Sequence, residues 1–118
     1  MKFSCRVDKH FPDTVRDAAE RRAALKLSRF ADVIQSVSVT IRDINGPRGG
    51  VDVRCRVRVV VRRANDVIIQ ETGSTVMDAI TGAFDRAART VARSCERQNA
   101  RQQIGPARRA GRPTFSTS

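Results

Sequence analysis

The segment from Val51 to Arg63 alternates apolar and charged residues almost without interruption, and it constrains the fold more than any other stretch. Its apolar members fall on successive odd positions: Val51, Val53, Cys55, Val57, Val59 and Val61. A period of two indicates a β-strand that buries one face and exposes the other. Valine suits such a strand because its branched side chain packs well on a pleated surface. The exposed face then carries a row of arginines, Arg54, Arg56 and Arg58. These arginines are either an ordinary solvated surface or a surface that attracts a polyanion.

The net charge of the chain predicts its kind of partner. The 118 residues suffice for one domain whose core needs neither disulfide nor metal. The formal net charge is +11, and residues 99–118 supply only +4 of it, so the preceding residues still carry +7. Such a balance predicts a polyanionic partner, with nucleic acid first and an anionic membrane surface second. Most of the bases are arginines, whose planar guanidinium suits phosphate groups.

Cysteine and histidine usage argues against metal or redox chemistry. Cys5, Cys55 and Cys95 are widely spaced and fall on apolar positions, which predicts buried free thiols. His10 is the single histidine, so neither a His-rich metal site nor a His-dependent catalytic triad is expected, and no cofactor is predicted. No apolar run approaches the ~20 residues of a membrane span. Charged residues interrupt the N-terminal segment at once, so we expect a cytoplasmic protein with no membrane partner.

Apolar periodicity predicts two helices and four strands. The predicted bounds are strand 2–7, helix 14–30, strands 35–42, 51–63 and 67–71, and a helix from about 75 to 98. The Gly- and Pro-containing segment 45–50 predicts an antiparallel hairpin between the second and third strands. Thr14 with Asp17, and Thr75 with Asp78, have the spacing of capping boxes at the two helix starts.

These elements define a fold class. Two amphipathic helices must cover the one apolar face of the sheet. The sequence therefore predicts an α+β two-layer sandwich, β-α-β-β-β-α, with a four-stranded sheet and both helices on one face. This is the element order of a double-stranded-RNA-binding domain with an added first strand. We expect residues 1–98 to form this domain, and residues 99–118, rich in Gly, Pro, Arg and Ser, to form a basic tail that is disordered alone.

The last helix carries a row of basic residues opposite its apolar stripe. At 100° per residue, four arginines cluster on that side: Arg86, Arg89, Arg93 and Arg97. They would form a ridge about 16 Å long. We interpret this ridge as a phosphate-binding surface, with plain solvation as the alternative. The first helix has a mixed-charge face instead, which we interpret as solvated: Arg16, Asp17, Glu20 and Arg21.

The segment from Ile69 to Arg93 resembles the end of the ribosome hibernation-promoting factor and ribosome-associated inhibitor A (protein Y) family. In that family a strand and a short polar turn lead into a helix with an Ala-Ile pair, an Asp followed by a base, and further spaced bases. The matching residues here are Ala79-Ile80, Asp85-Arg86, Arg89 and Arg93. The segment Lys26–Phe30 of the first helix is similar too, so the resemblance extends over about residues 1–98.

Three features differ from the family pattern. Met77 stands where the family commonly has an aromatic residue, and arginine often replaces lysine. The tail is short and basic, unlike the acidic tail of protein Y or the dimerisation domain of the long hibernation factors. The resemblance therefore implies a short form of the family.

The resemblance implies a non-catalytic bacterial factor that docks on the small ribosomal subunit, over the decoding channel between head and body. It would bind rRNA there, inhibit translation and promote ribosome hibernation under stress. The free protein would be monomeric, without a small-molecule substrate. RNA of this kind is recognised through shape and backbone. The residues expected to contact rRNA phosphates are Arg86, Arg89, Arg93, Arg97, Arg54, Arg56 and Arg58.

Three other functions are considered. A generic double-stranded-RNA-binding protein would show the same charge pattern but no preference for ribosomes. An enzyme would need a site such as the carboxylates Asp78 and Asp85, but these lie on the solvated side of a basic helix without a convergent nucleophile. A binder of anionic membranes is not favoured, because neither helix pairs a basic face with a bulky apolar one.

Overall fold

The computed structural model describes residues 1–9, 11–44 and 52–104, with side chains described as far as Gln98. Its elements are β1 (Lys2–Val7), α1 (Thr14–Leu27), a 3₁₀ turn (Ser28–Phe30), β2 (Ile34–Asp43), β3 (Val53–Val61), β4 (Val67–Gly73) and α2 (Val76–Ile104). The predicted order and the α+β class are confirmed. His10, the segment 45–50 and Val51, on which expectations above depend, lie outside the described residues.

The four strands form one mixed sheet in the order β1-β2-β3-β4. β1 runs parallel to β2, and α1 makes the crossover connection that parallel strands require. β2, β3 and β4 pair antiparallel in succession, which confirms the predicted hairpin between β2 and β3. The register aligns residues of one face in rows across the sheet, so that Val39 lies between Cys5 of β1 and Val57 of β3.

The inward face of the sheet and the two helices share one apolar core. On β3 the odd-numbered residues are buried: Val53, Cys55, Val57, Val59 and Val61. α2 contributes Ile80, Phe84 and Val91, which are fully buried. α1 lies over β1, α2 lies over β3 and β4, and the helices contact each other. Burial of this kind contributes about 1.5–3 kcal/mol per large side chain, and it fixes which strand positions face solvent on the open side of the sheet.

The two predicted capping boxes have different outcomes. At α2 the backbone N–H of Asp78 donates to Thr75 Oγ1 at 3.1 Å, which is one of the two hydrogen bonds of the predicted box, while the Asp78 carboxylate accepts from Ser74 Oγ. At α1 the prediction is wrong, because the N-cap residue is Asp13 and makes no side-chain cap hydrogen bond. The carbonyls of Pro12 and Asp13 accept the first N–H groups instead, at 3.0 and 3.1 Å. Thr14 is already in the first turn of the helix, too late to cap it.

α2 continues to Ile104, six residues beyond the predicted domain boundary at residue 98. Residues 105–118 lie outside the described residues, so the division into a domain and a disordered tail stays a prediction. Within the described part of the chain, neither helix combines the length and the apolar character that a membrane crossing requires.

Arginines of the helices hydrogen-bond to backbone carbonyls of both outer strands. Arg16 of α1 donates from Nη2 to the carbonyl of Cys5 in β1 at 2.8 Å. Arg86 of α2 donates from Nη1 to the carbonyl of Gln70 in β4 at 3.3 Å. Outer strands have backbone groups without a strand partner, and covering such groups reduces pairing with other molecules. The helices are therefore tied to both edges of the sheet, and Arg16 is a structural contact rather than a merely solvated charge.

Candidate nucleic-acid interface

The open face of the sheet carries basic residues on its three adjacent strands β1, β2 and β3. The register places Arg42 of β2 directly opposite Arg54 of β3, and Thr40 opposite Arg56. On the other side of Thr40 lies Arg6 of β1. All four arginines are exposed. On the four described strands, no outward position holds Asp or Glu.

The placement of Arg42 directly opposite Arg54 is unfavourable for the stability of the sheet. Like charges placed directly opposite one another destabilise an antiparallel pair. Neither arginine forms an ion pair with a residue that the structure describes, and the same holds for Arg56. The open face therefore concentrates uncompensated positive charge, which is the arrangement expected of a surface that attracts a polyanion.

Arg58 differs from its neighbours on β3. Its Nε and Nη2 both donate to Asp66 Oδ2, at 2.9 and 2.6 Å. The carboxylate offsets the charge of Arg58 and fixes the orientation of its guanidinium. Of the three β3 arginines predicted to contact RNA, Arg54 and Arg56 are therefore the more available.

The four arginines predicted to form a ridge on α2 all lie exposed: Arg86, Arg89, Arg93 and Arg97. Arg86 is nevertheless engaged within the protein, because its Nη1 lies 2.6 Å from Glu71 Oε1 and also reaches the Gln70 carbonyl. Arg89, Arg93 and Arg97 have no ion pair with a described residue. These three are therefore the available cations of the ridge, and Arg86 is also a structural contact at the edge of the sheet.

The position of Glu71 explains how Arg86 is held. Glu71 occupies an inward position on β4, opposite the buried Cys55. Its side chain passes beside Gly82 of α2, where an added Cβ would lie only 2.9 Å from Glu71 Cγ. The absence of a side chain at Gly82 gives Glu71 the room to reach Arg86 one turn further along the helix.

α1, its 3₁₀ turn and α2 enclose a groove to which both helices contribute basic residues. The groove has a volume of about 480 Å³ and is lined by Leu25, Lys26, Arg29, Asp85, Ala88 and Arg89. Lys26 Nζ lies 2.9 Å from Asp85 Oδ1. This oxygen is buried, and its contact with Lys26 is an ion pair that lacks the geometry of a hydrogen bond. Arg29 lies over the ring of Phe30, with 4.8 Å between the guanidinium carbon and the ring centroid. Arg29 and Arg89 are thus the cations of the groove that Asp85 does not compensate.

Sequence reasoning missed Arg6, Arg29 and Arg42 as candidate binding residues. Only the β2–β3 register shows that Arg42 lies against Arg54. Arg29 joins the site because α1 packs beside α2, and a projection of a single helix does not contain that information.

The cysteines are structural rather than reactive. Cys5 and Cys55 are buried, as predicted, while Cys95 is only partly buried, and all three thiols are free. Burial raises the pKa of the Cys55 thiol to about 12. Burial also raises the pKa values of Cys5 and Cys95. A thiol that stays protonated at neutral pH is a poor nucleophile.

The two carboxylates considered as an enzymatic pair each have a structural contact, Asp78 at the start of α2 and Asp85 with α1. Asp78 Oδ2 accepts a hydrogen bond from Ser74 Oγ at 3.2 Å, and Asp85 pairs with Lys26. The offset of seven positions from Asp78 to Asp85 corresponds to about 10 Å along a helix. Asp78 and Asp85 therefore do not converge on one point.

The fold and these surfaces define an α+β two-layer domain with uncompensated basic residues on both of its broad sides. Residues 7–99 match the family described as Sigma 54 modulation protein / S30EA ribosomal protein. The chain belongs to this family of ribosome-associated proteins. The resemblance inferred from the sequence is thereby confirmed.

Two solved structures share the fold. The N-terminal domain of Thermus thermophilus Protein Y is 24% identical with a TM-score of 0.61, over 78% of this chain and 93% of that one. A ribosomal subunit interface protein from Coxiella burnetii is 9% identical with a TM-score of 0.61, over 79% of this chain and 96% of that one. No curated protein sequence matches the chain. At these identities the two structures establish the fold, and the family match establishes the relationship.

Proposed function

We propose that this protein is a non-catalytic cytoplasmic factor, monomeric when free, that binds rRNA of the small ribosomal subunit at the decoding channel. By occupying that channel it would inhibit translation and promote ribosome hibernation under stress. Membership of a ribosome-associated family supports the ribosome as the partner. The main support for the open face of the sheet as the binding surface is that Arg42 and Arg54 lie directly opposite each other there without a compensating negative charge among the described residues.

The distribution of charge supports binding inside a cleft. The open face of the sheet presents Arg54 and Arg56. Arg89, Arg93 and Arg97 of the ridge lie on α2, in the helical layer on the other side of the sheet. A protein with cations on both broad sides suits a space whose two walls are RNA. The gap between the head and the body of the small subunit is such a space.

The chemistry of the open face favours recognition of the RNA backbone. The outward positions of the described strands hold basic, hydroxyl, amide and aliphatic side chains, without an aromatic ring on which a base could stack. Arginine and hydroxyl groups contact phosphate and ribose oxygens. We therefore expect recognition of rRNA shape and backbone rather than of base sequence.

The test is co-sedimentation with purified small subunits on a sucrose gradient, at fixed moderate salt. The variant Arg54→Gln/Arg56→Gln should bind at least about tenfold more weakly, because hydrogen bonds to charged groups contribute about 1.5–3 kcal/mol each. The matched control is Arg21→Gln/Arg62→Gln, which removes the same charge from exposed positions elsewhere and should bind nearly as the parent protein does.

A second arm separates this proposal from a generic double-stranded-RNA-binding protein. The experiment is repeated with an excess of plain duplex RNA as competitor. Retention on the small subunit supports the ribosome-specific function. Complete displacement by the duplex would favour the generic binder, and equal binding by the two double variants would remove the open face of the sheet from the site.

A further inference from the structure

A second cavity lies between the β3–β4 turn and the outer part of α2. It has a volume of about 510 Å³, and its polar lining comes from both elements: Arg63, Asn65, Asp66, Thr90, Ser94, Arg97 and Gln98. None of the functions above uses it as a site, although Arg97 also belongs to the ridge. Its size is within the range of small-molecule sites, about 300–1,000 Å³.

The turn that forms one wall holds an arginine in an unusual conformation. Arg63 has a φ of 59°, a left-handed conformation that glycine and asparagine adopt more readily than arginine. The turn is closed by a hydrogen bond from the Ala64 N–H to the Val61 carbonyl at 3.3 Å. Gln98 of α2 donates its side-chain N–H groups to the carbonyls of Arg62, at 3.2 Å, and of Arg63. Gln98 thus fastens the turn to the helix and keeps Arg63 at the cavity.

The charges around the cavity favour an anion. Two arginines line it, Arg63 on the turn and Arg97 on the helix. Asp66 is also part of the lining, but its carboxylate receives two hydrogen bonds from Arg58 and is offset by that cation. The local balance at the cavity is therefore positive.

A buried hydroxyl completes the set of donors. Among the described residues, Ser94 is the buried polar side chain, at 7% exposure, and it lines this cavity. The Thr90 hydroxyl donates to the carbonyl of Arg86 at 2.9 Å, so its proton is already committed. Ser94, the two arginines and the exposed Asn65 are therefore the lining residues whose donors remain for a ligand.

From this arrangement we infer that the cavity between the β3–β4 turn and α2 is an anion site that takes a phosphate group. The fork geometry of two arginines suits phosphate oxygens, and a hydroxyl donor adds a third direction. The phosphate belongs either to the RNA backbone or to a free nucleotide or pyrophosphate. The inference rests on the proposed function only for the first of these sources.

The first experiment titrates the full chain with inorganic pyrophosphate and follows backbone amide shifts by NMR, against sodium chloride of equal ionic strength. Saturable shifts should appear in the β3–β4 turn and around Ser94, but not with sodium chloride. Arg63→Asn should weaken pyrophosphate binding about tenfold through loss of one charge-assisted contact. It should leave the melting temperature unchanged or higher, because asparagine tolerates the left-handed conformation. Shifts absent at the cavity, or equal with sodium chloride, would overturn the site.

The control and a second variant exclude general effects. Arg62→Asn removes the same charge one residue away without lining the cavity, so pyrophosphate affinity should fall much less than in Arg63→Asn. Ser94→Ala keeps the turn and the charges but removes the buried donor, and should also weaken pyrophosphate binding. Equal losses in Arg62→Asn and Arg63→Asn would show only general electrostatics and would contradict the inference.

The source of the phosphate is decided with purified small subunits. If it is an rRNA phosphate, Arg63→Asn should reduce the slope of log K against log salt by about one unit, whereas Arg62→Asn should not. If pyrophosphate binds at the cavity but the slope is unchanged, the site takes a free phosphate ligand. If the parent protein does not bind small subunits at all, the proposed function fails, while the pyrophosphate titration still decides the anion site.

Discussion

Arg86 combines two properties that the other ridge arginines do not share. It is exposed to solvent, yet it contacts Glu71 and the Gln70 carbonyl at the edge of the sheet. Arg86→Gln should therefore lower the free energy of unfolding by about 0.5–1 kcal/mol, the value for a partly screened surface pair. Arg89→Gln and Arg93→Gln should change it by less than about 0.5 kcal/mol. Urea unfolding of the three single variants measures the difference, and equal stabilities would mean that the contact of Arg86 with Glu71 contributes nothing.

Cys55 gives the protein a pH dependence at alkaline pH. Its pKa rises from 9.0 to about 12 on folding because the thiol is buried. Above pH 9 the unfolded chain loses this proton while the folded protein keeps it, so stability falls as pH rises toward 12. Cys55→Val has no ionisable group at this position. Between pH 8 and pH 10 the parent protein should lose about 1 kcal/mol more than Cys55→Val does. Parallel losses in the two proteins would place the Cys55 thiol in a solvated environment.

Gly82 and Glu71 couple α2 to β4 at the scale of whole elements. Alanine within a helix is favoured over glycine by about 1 kcal/mol, but a Cβ at Gly82 would lie 2.9 Å from Glu71 Cγ. Gly82→Ala should therefore stabilise the parent protein by less than about 1 kcal/mol. In the background Glu71→Ala, where no side chain obstructs it, the full gain should appear. A double-mutant cycle measures the coupling between the two positions, and a coupling energy of zero would show that Glu71 does not pass beside this glycine.

The strands could be predicted from the sequence because alternation fixes both the element and its buried face. The Val53–Val61 strand follows that rule residue by residue, and the apolar stripe of α2 defines its exposed side equally well. Contacts between elements could not be predicted in this way. The pairing of Glu71 with Arg86 depends on the position of α2 along β4. Neither the period of two in the strand nor the period of 3.6 in the helix determines that position. The opposition of Arg42 and Arg54 likewise depends on the length of the hairpin connection.

Counterion release should scale with the number of phosphate contacts, and the available arginines among those predicted from the sequence give its minimum. Arg58 and Arg86 already have acidic partners, which leaves five of the predicted contacts: Arg54, Arg56, Arg89, Arg93 and Arg97. At roughly −0.7 to −0.9 per phosphate contact, log K for the small subunit should fall with log salt at a slope of about −3.5 to −4.5. A salt titration by co-sedimentation measures this slope. A value near −1 would be incompatible with five contacts.

The basic tail supplies the control for that measurement. A chain ending at Ile104 keeps the whole of α2 and lacks Arg108, Arg109 and Arg112. Its slope should be flatter, since fewer counterions are released. Its preference for the small subunit over plain duplex RNA should persist, because shape recognition belongs to the folded sandwich. Loss of that preference on truncation would show that the tail, and not the folded sandwich, determines the specificity.

The parallel pairing of β1 with β2 has a consequence for the order of folding. Lys2 pairs with Ser36, 34 residues away, whereas Val59 pairs with Val67, eight residues away. The longer closure costs about 1 kcal/mol more in chain entropy, and it also requires α1 to be in place. The β2–β3–β4 meander should therefore form in the transition state and β1 should dock afterwards. Cys5→Ala should give a φ-value near zero and Val57→Ala a clearly higher one. The N-terminal strand would then be the last part of the sheet to assemble and the first to detach.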